Sequence, residues 1–170
     1  MNIILQTPRL LLRHFTLNDT DLLVQLNSDP EVLKYLHEPP VKDKAHAKKI
    51  LTDIILPQYE NNLGRWAIYT KCDDQFIGWC GLKYRPELNE TDLGYRLMKT
   101  AWGQGYATEA AKHCLQYGLD ELHIQVITGR AHIENIASLK ILEKIGMQFL
   151  KEEIVDNIPV KTYVATALEK

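Results

Sequence analysis

The chain has 170 residues, 45% of them hydrophobic and 25% charged, with a formal net charge of −2. This length and balance predict one globular domain, residues 1–170, with enough apolar side chains for a full core. A slightly negative chain offers no basic field for nucleic acid, and no run of about eighteen apolar residues marks a membrane-spanning helix. The opening Met1–Gln6 is too short to read as a signal peptide. Cys72, Cys80 and Cys114 are odd in number and form no C-x-x-C, which predicts free thiols in a reducing, cytoplasmic setting. The six histidines contain no H-x-x-x-H pair, so no metal site is expected.

In chain order, Thr7–Arg13 reads as a first strand, a short apolar core bounded by Pro8 and charge. Asn18 or Asp19 can cap a helix with Leu22, Leu23 and Leu26 on one face, which Ser28-Asp29-Pro30 ends. Glu31–Leu36 reads as a short helical turn and Glu38-Pro39-Pro40 as a loop. A long helix is predicted from Lys42 to Asn62, with Ala47, Ile50, Leu51, Ile54 and Ile55 as its apolar stripe and Pro57 kinking or ending it. Lys42, Lys44, Lys48 and Lys49 read as its solvated face.

Arg65–Thr70 and Phe76–Leu82, rich in β-branched and aromatic residues, read as two strands joined by a turn at Cys72–Gln75. After a polar loop, Thr91–Met98 is the next strand. It leads into Trp102-Gly103-Gln104-Gly105-Tyr106-Ala107-Thr108-Glu109-Ala110-Ala111. Ala107, Ala110, Ala111, Cys114 and Leu115 then fall at helical spacing. A strand, a glycine turn and a helix in succession aim free backbone N–H groups and the positive end of a helix dipole at one point. The segment Gly103, Gln104, Gly105, Tyr106, Ala107 and Thr108 therefore predicts a pyrophosphate cradle. A P-loop would need a Lys after the second glycine. A dinucleotide fingerprint would need a third glycine where Thr108 stands, and an acid closing the next strand.

His123–Ala131 reads as a strand. Asn135–Met147 reads as a helix, with Asn135 at its start and Gly146 just past its end. Antiparallel strands followed by a glycine turn, helix, strand and helix give a mixed α/β sheet. The Glu152–Ile158 segment carries no recognisable acceptor-binding motif.

Three stretches share one resemblance. Trp102-Gly103-Gln104-Gly105-Tyr106-Ala107 is similar to the [Q/R]-x-x-G-x-[G/A] signature of the GNAT acetyltransferases, with Trp in the first place. Asn135–Met147 resembles their fourth-helix pattern N-x-x-S-x-x-x-L-x-K-x-G-[FM]. The T-x-R-L-x-L-R string from Thr7 to Arg13, together with W-G-x-G-Y-A-x-E-A, looks like the ribosomal-protein N-terminal acetyltransferase (RimJ/RimL-like) branch. The resemblance spans roughly residues 7–150. It implies a GNAT-type mixed, mostly antiparallel central sheet with helices on both faces and a splayed strand pair for the cofactor. It also implies acetyl-CoA as cosubstrate and an amine acceptor, either a protein N-terminus or a small amine. The net charge of −2 tilts slightly toward a cationic acceptor. Relatives in this branch are often dimers, and a homodimer is the assembly expected by analogy.

The chemistry needs a donor at the departing thiolate, because a free thiol has a pKa of about 8.5. In the resembling enzymes a Tyr or Ser on the fourth helix donates, and Ser138 takes that position. Asn135 reads as an N-cap that also reaches the pantetheine arm. The amine must lose a proton, and Asp92, on the strand feeding the cradle where the resembling superfamily often places an acidic base, is the first candidate. Glu90 and Glu153 are alternatives. The family's fourth strand carries a bulge and splays from the fifth, so an N–H near Leu97 or Met98 would polarise the thioester carbonyl. Tyr35, Leu36 and His37 fall in the region that forms a wall of the family's acceptor groove. Glu109 reads as a structural acid favourable to the helix dipole. Cys80 as a nucleophile lacks a His/acid partner. A catalytically silent acyl-CoA-binding module and, more remotely, a nicotinamide-dependent enzyme are the competing readings.

Overall fold

The computed structural model describes residues 2–36 and 38–168. The chain starts one strand earlier than the apolar pattern predicts: β1 (Ile3–Gln6) pairs antiparallel with β2 (Leu10–His14). Thr7 lies in the turn between them, its N–H donating to the Leu10 carbonyl at 2.9 Å. Helix α1 (Thr20–Leu26) follows a 3-10 turn capped by Thr16. Asp19 sits at the predicted cap position, but its carboxylate accepts from Arg13 and from the Thr16 amide instead of capping α1. Pro30 opens α2 (Pro30–Leu33), with the Asp29 side chain capping it.

The predicted 42–62 helix is interrupted. α3 (Lys44–Ile50) widens into a π-turn over Leu51–Ile55, then resumes as α4 (Leu56–Gln58) and a 3-10 turn. Pro57 brings no N–H to the carbonyl four residues back, and a wider turn just before it is how a helix absorbs that loss. The lysine cluster is exposed, as its spacing implies.

The remaining strands are β3 (Gly64–Thr70), β4 (Phe76–Arg85), β5 (Glu90–Leu97), β6 (Val126–His132), β7 (Gln148–Val155) and β8 (Ile158–Thr166). Between them lie α5 (Tyr106–Asp120) and α6 (Ile136–Lys144). The sheet order is β1-β2-β3-β4-β5-β6-β8-β7, antiparallel everywhere except between β5 and β6. The β7–β8 hairpin is absent from the sequence reading, which leaves 148–168 without strands. Its signal is Asp156-Asn157 between apolar runs: both residues have positive φ, 52° and 63°, the demand of a type I′ hairpin turn.

Two cores sandwich the sheet. On one face α5 and α6 bury Ala110, Ala111, Cys114, Leu139 and Leu142 against Trp66, Cys80, Leu82, Leu93 and Ile127. On the other, α1 and the α3 segment bury Leu23, Leu26, Ala47, Leu51 and Ile55 against Ala67 and Trp79. This is the mixed, mostly antiparallel sheet with helices on both faces that the sequence predicts. No helix among the described residues is long and apolar enough to cross a membrane.

Candidate active site

The parallel partners β5 and β6 meet over only three residue pairs, Thr91↔Ile127, Asp92↔Thr128 and Leu93↔Gly129, and then diverge. The β4–β5 ladder runs without a register shift from Arg85↔Glu90 to Gly78↔Leu97. The splay therefore arises without the expected bulge in that ladder. The Met98 N–H donates to the Ile77 carbonyl at 2.8 Å, so Met98 cannot polarise a thioester. By the alternation of an antiparallel ladder, the N–H groups of Tyr95 and Leu97 then point away from β4, into the gap. The Leu97 carbonyl is taken by the Trp102 indole N–H at 3.0 Å. Trp102 thus ties the glycine turn back to the strand, a role its aromatic N–H can fill and a Gln/Arg phosphate contact does not require.

A groove of about 1240 Å³ passes through this gap. At one end lie Gly103, Gly105, Tyr106, Ala107 and Thr108. Gly103 and Gly105 have φ of 76° and 80°, the left-handed region where glycine carries no steric cost. Gly105 is the N-cap of α5 and supplies no capping side chain, so the first-turn amides of Tyr106, Ala107 and Thr108 have no intrahelical acceptor. Such amides at the positive end of a 15-residue helix fit a pyrophosphate. Gln104 does not line the groove: its amide turns to the Thr100 carbonyl at 3.2 Å and its carbonyl accepts from Arg9 at 2.9 Å.

Glu109 confirms its structural reading. Its carboxylate accepts from the Thr7 hydroxyl at 2.5 Å and from the Arg9 amide and Nε at 2.9 and 2.7 Å. Burial alone would raise its pKa; these donors outweigh that and hold it below the usual value.

Asn135 and Ser138 both line the groove. Asn135 caps α6 by accepting from the Ser138 amide at 3.3 Å. The Ser138 hydroxyl lies 2.6 Å from the phenol oxygen of Tyr95, a partner the sequence reading misses. Tyr95 sits in an ordinary strand pattern, and only the strand-to-helix packing brings it there. Burial raises the phenol well above its usual pKa, although the Ser138 contact works against this. Tyr95 therefore keeps its proton at neutral pH.

The three candidate carboxylates, distant in sequence, converge on Arg130, which sequence reasoning also misses. Its guanidinium pairs closely with Glu90 and reaches Asp92 at 3.7 Å and Glu153 at 3.9 Å. Glu153 also accepts from Thr162 at 2.7 Å. Asp92 is the one of the three on the groove wall, and its buried Oδ1 has no hydrogen bond. Burial pushes its carboxyl up to about 6, with Arg130 and Arg85 pulling it back. Tyr35 and Leu36 line the same groove; His37 lies outside the described residues. Cys80 is fully buried in the α5-side core beside Cys114, so it presents no nucleophile to the groove.

A gap in the sheet, uncapped amides at a glycine turn and a hydroxyl on the next helix fit an acyl-CoA-dependent acetyltransferase. The acetyltransferase (GNAT) domain family matches residues 9–148, and the chain belongs to that family. It is 35% identical over 145 residues to the uncharacterized N-acetyltransferase p20 of Bacillus licheniformis, covering 85% of this chain and 82% of that protein. Its fold is shared with a ribosomal L7/L12 α-N-protein acetyltransferase solved with coenzyme A, at a TM-score of 0.83 and 17% identity over 98% of both chains. Spermidine N-acetyltransferase from Vibrio cholerae, solved with CoA and spermine, aligns at a TM-score of 0.77 and 16% identity, covering 92% of this chain and 95% of that one.

Proposed function

We propose that the protein moves the acetyl group of acetyl-CoA to a primary amine by direct attack within a ternary complex. The pyrophosphate rests on the amides of Gly105 to Thr108, and the pantetheine arm lies along the free edge of β5. There the Leu97 or Tyr95 N–H polarises the thioester carbonyl, a contribution of roughly 3 kcal/mol for such a donor. As the amine attacks, the C–S bond breaks and the thiolate takes a proton from the Ser138 hydroxyl. Tyr95, 2.6 Å behind it, supplies the replacement proton and is reprotonated from solvent as the proton taken from the amine is released, so no net charge is left on the relay.

The observation that carries this reading is the pairing, across one groove, of a hydroxyl pair with a carboxylate whose buried Oδ1 accepts no hydrogen bond. A carboxyl held at about 6 is largely ionised at neutral pH and basic enough to take the proton of the attacking amine. Asp92 lies two to three residues along β5 from the gap, so it acts through water. Glu90 and Glu153 hold Arg130 beside it. Incubation with acetyl-CoA and a panel of peptides, polyamines and amino acids, read by mass spectrometry, should give an acetylated amine and free CoA. Coenzyme A release without any acetylated product would overturn the reading.

A further inference from the structure

Four arginines line the groove: Arg65, Arg85, Arg96 and Arg130. Three are committed. Arg85 pairs with Glu87 and Asp156, at 2.9 and 2.5 Å. Arg96 donates to Asn27 at 2.5 Å and to Glu38 at 3.1 Å. Arg130 holds the carboxylate cluster. Arg65 differs: among the described residues its guanidinium has no ion pair and no hydrogen bond, only the face of Trp79, 4.7 Å from Cζ to the ring centroid. Glu38 acts on it from a distance, its own contact being with Arg96.

The position is fixed from behind. The Tyr59 hydroxyl donates to the Arg65 carbonyl at 2.5 Å, holding the backbone of β3 there. Arg65 pairs in register with Gly81, and Gly81 with Gly94, so the residues directly across from Arg65 carry no side chain and leave room beside it. The Trp79 ring fills that space; its Cη2 and Cζ3 lie 3.4 Å from where a Cβ on Gly94 would be. Arg65 therefore stacks on the same indole that covers the strand where attack occurs. Arg96 approaches that ring as well, its Cζ 5.5 Å from the centroid. Around the whole groove the Lys and Arg side chains outnumber the Asp and Glu.

An unpaired guanidinium in a half-buried wall is costly unless an anion meets it. Burial and the neighbouring Arg96 already pull its pKa down to about 10, the response of a cation short of counter-charge. We propose that the acceptor carries an anionic group, a carboxylate in the simplest case, an indole's width from its reacting amine, and that Arg65 binds that group. This rests on the amine-acetylation reading above and narrows it: amino acids, or peptides whose first residue is acidic, are favoured over polyamines. The local field thus opposes the slight cationic preference that the net charge suggests.

The test uses acceptors that differ at one group. Peptides beginning with Glu or Gln form one pair; an ω-amino acid, its primary amide and the matching diamine form a second set. The acid members should show kcat/KM at least tenfold above their amides, with the diamine lowest. In Arg65→Gln the acid-to-amide ratio should fall toward one, chiefly through KM, and Arg65→Lys should recover part of it. Retained CoA affinity shows that each variant is folded. Amides or diamines preferred by the unaltered protein, or a ratio unmoved in Arg65→Gln, would overturn the proposal. If no amine is acetylated, the transfer reading fails by itself. Calorimetry of the acid and amide with the CoA-saturated protein then decides this one, equal affinities sinking it.

Discussion

Arg9 and Glu109, a hundred residues apart in sequence, meet with Nε 2.7 Å from the carboxylate. The same arginine lies over the Tyr106 ring at 4.5 Å and donates to the Gln104 carbonyl. Two short strings that look unrelated in the sequence, at Thr7–Arg13 and Trp102–Ala111, are therefore one assembly. The edge hairpin holds the glycine turn in place.

Glu109→Ala leaves the Thr7 hydroxyl, the Arg9 amide and the Arg9 guanidinium without their acceptor. Loss of a partly buried charged acceptor costs about 2 kcal/mol. Arg9 is about half exposed, so Arg9→Ala should cost less, under about 1 kcal/mol. Chemical denaturation of the two variants checks the order. Coenzyme A affinity should fall in both.

Gly105→Ala forces a side chain into φ 80° and places its Cβ 3.3 Å from the Arg9 guanidinium. Gly103→Ala meets nothing within 4 Å, leaving only the left-handed penalty of about 1 kcal/mol. Calorimetric titration with CoA should show the larger loss, tenfold or more, for Gly105→Ala.

Ser138→Ala and Tyr95→Phe should each lower kcat by about a hundredfold, the range of a general acid, with KM for acetyl-CoA nearly unchanged. The double variant should be little worse than either single one, since the two hydroxyls act as a unit. Steady-state kinetics with a fixed amine decides it, and additive losses would separate their roles.

The sign of the pH dependence follows from Asp92. Its pKa is raised, and the unprotonated form is the base, so kcat/KM should fall as pH drops through about 6. In Asp92→Asn that limb should vanish, and the rate above it should drop by about a hundredfold. A limb at the same pH in Asp92→Asn would move the assignment to Glu90 or Glu153.

The glycine turn, the helix it opens and the Asn135 cap were legible in the sequence because each is a local device, set by residues three or four apart. The β7–β8 hairpin was hidden because β7 is largely exposed, so its apolar residues follow no strict alternation. Arg130, Arg65 and Tyr95 were illegible for another reason. Each gains its meaning from a neighbour on a different strand or helix, and nothing in a linear reading marks which arginine ends without a carboxylate.

Only three ladder pairs, Thr91↔Ile127 to Leu93↔Gly129, join the sheet's first five strands to its last three among the described residues. Backbone contacts from a pantetheine along β5 would add rungs to that short seam, so the cosubstrate acts as a staple between two halves of one sheet. Amide hydrogen exchange at Tyr95 and Leu97 should slow when coenzyme A is added, and the whole protein should melt later.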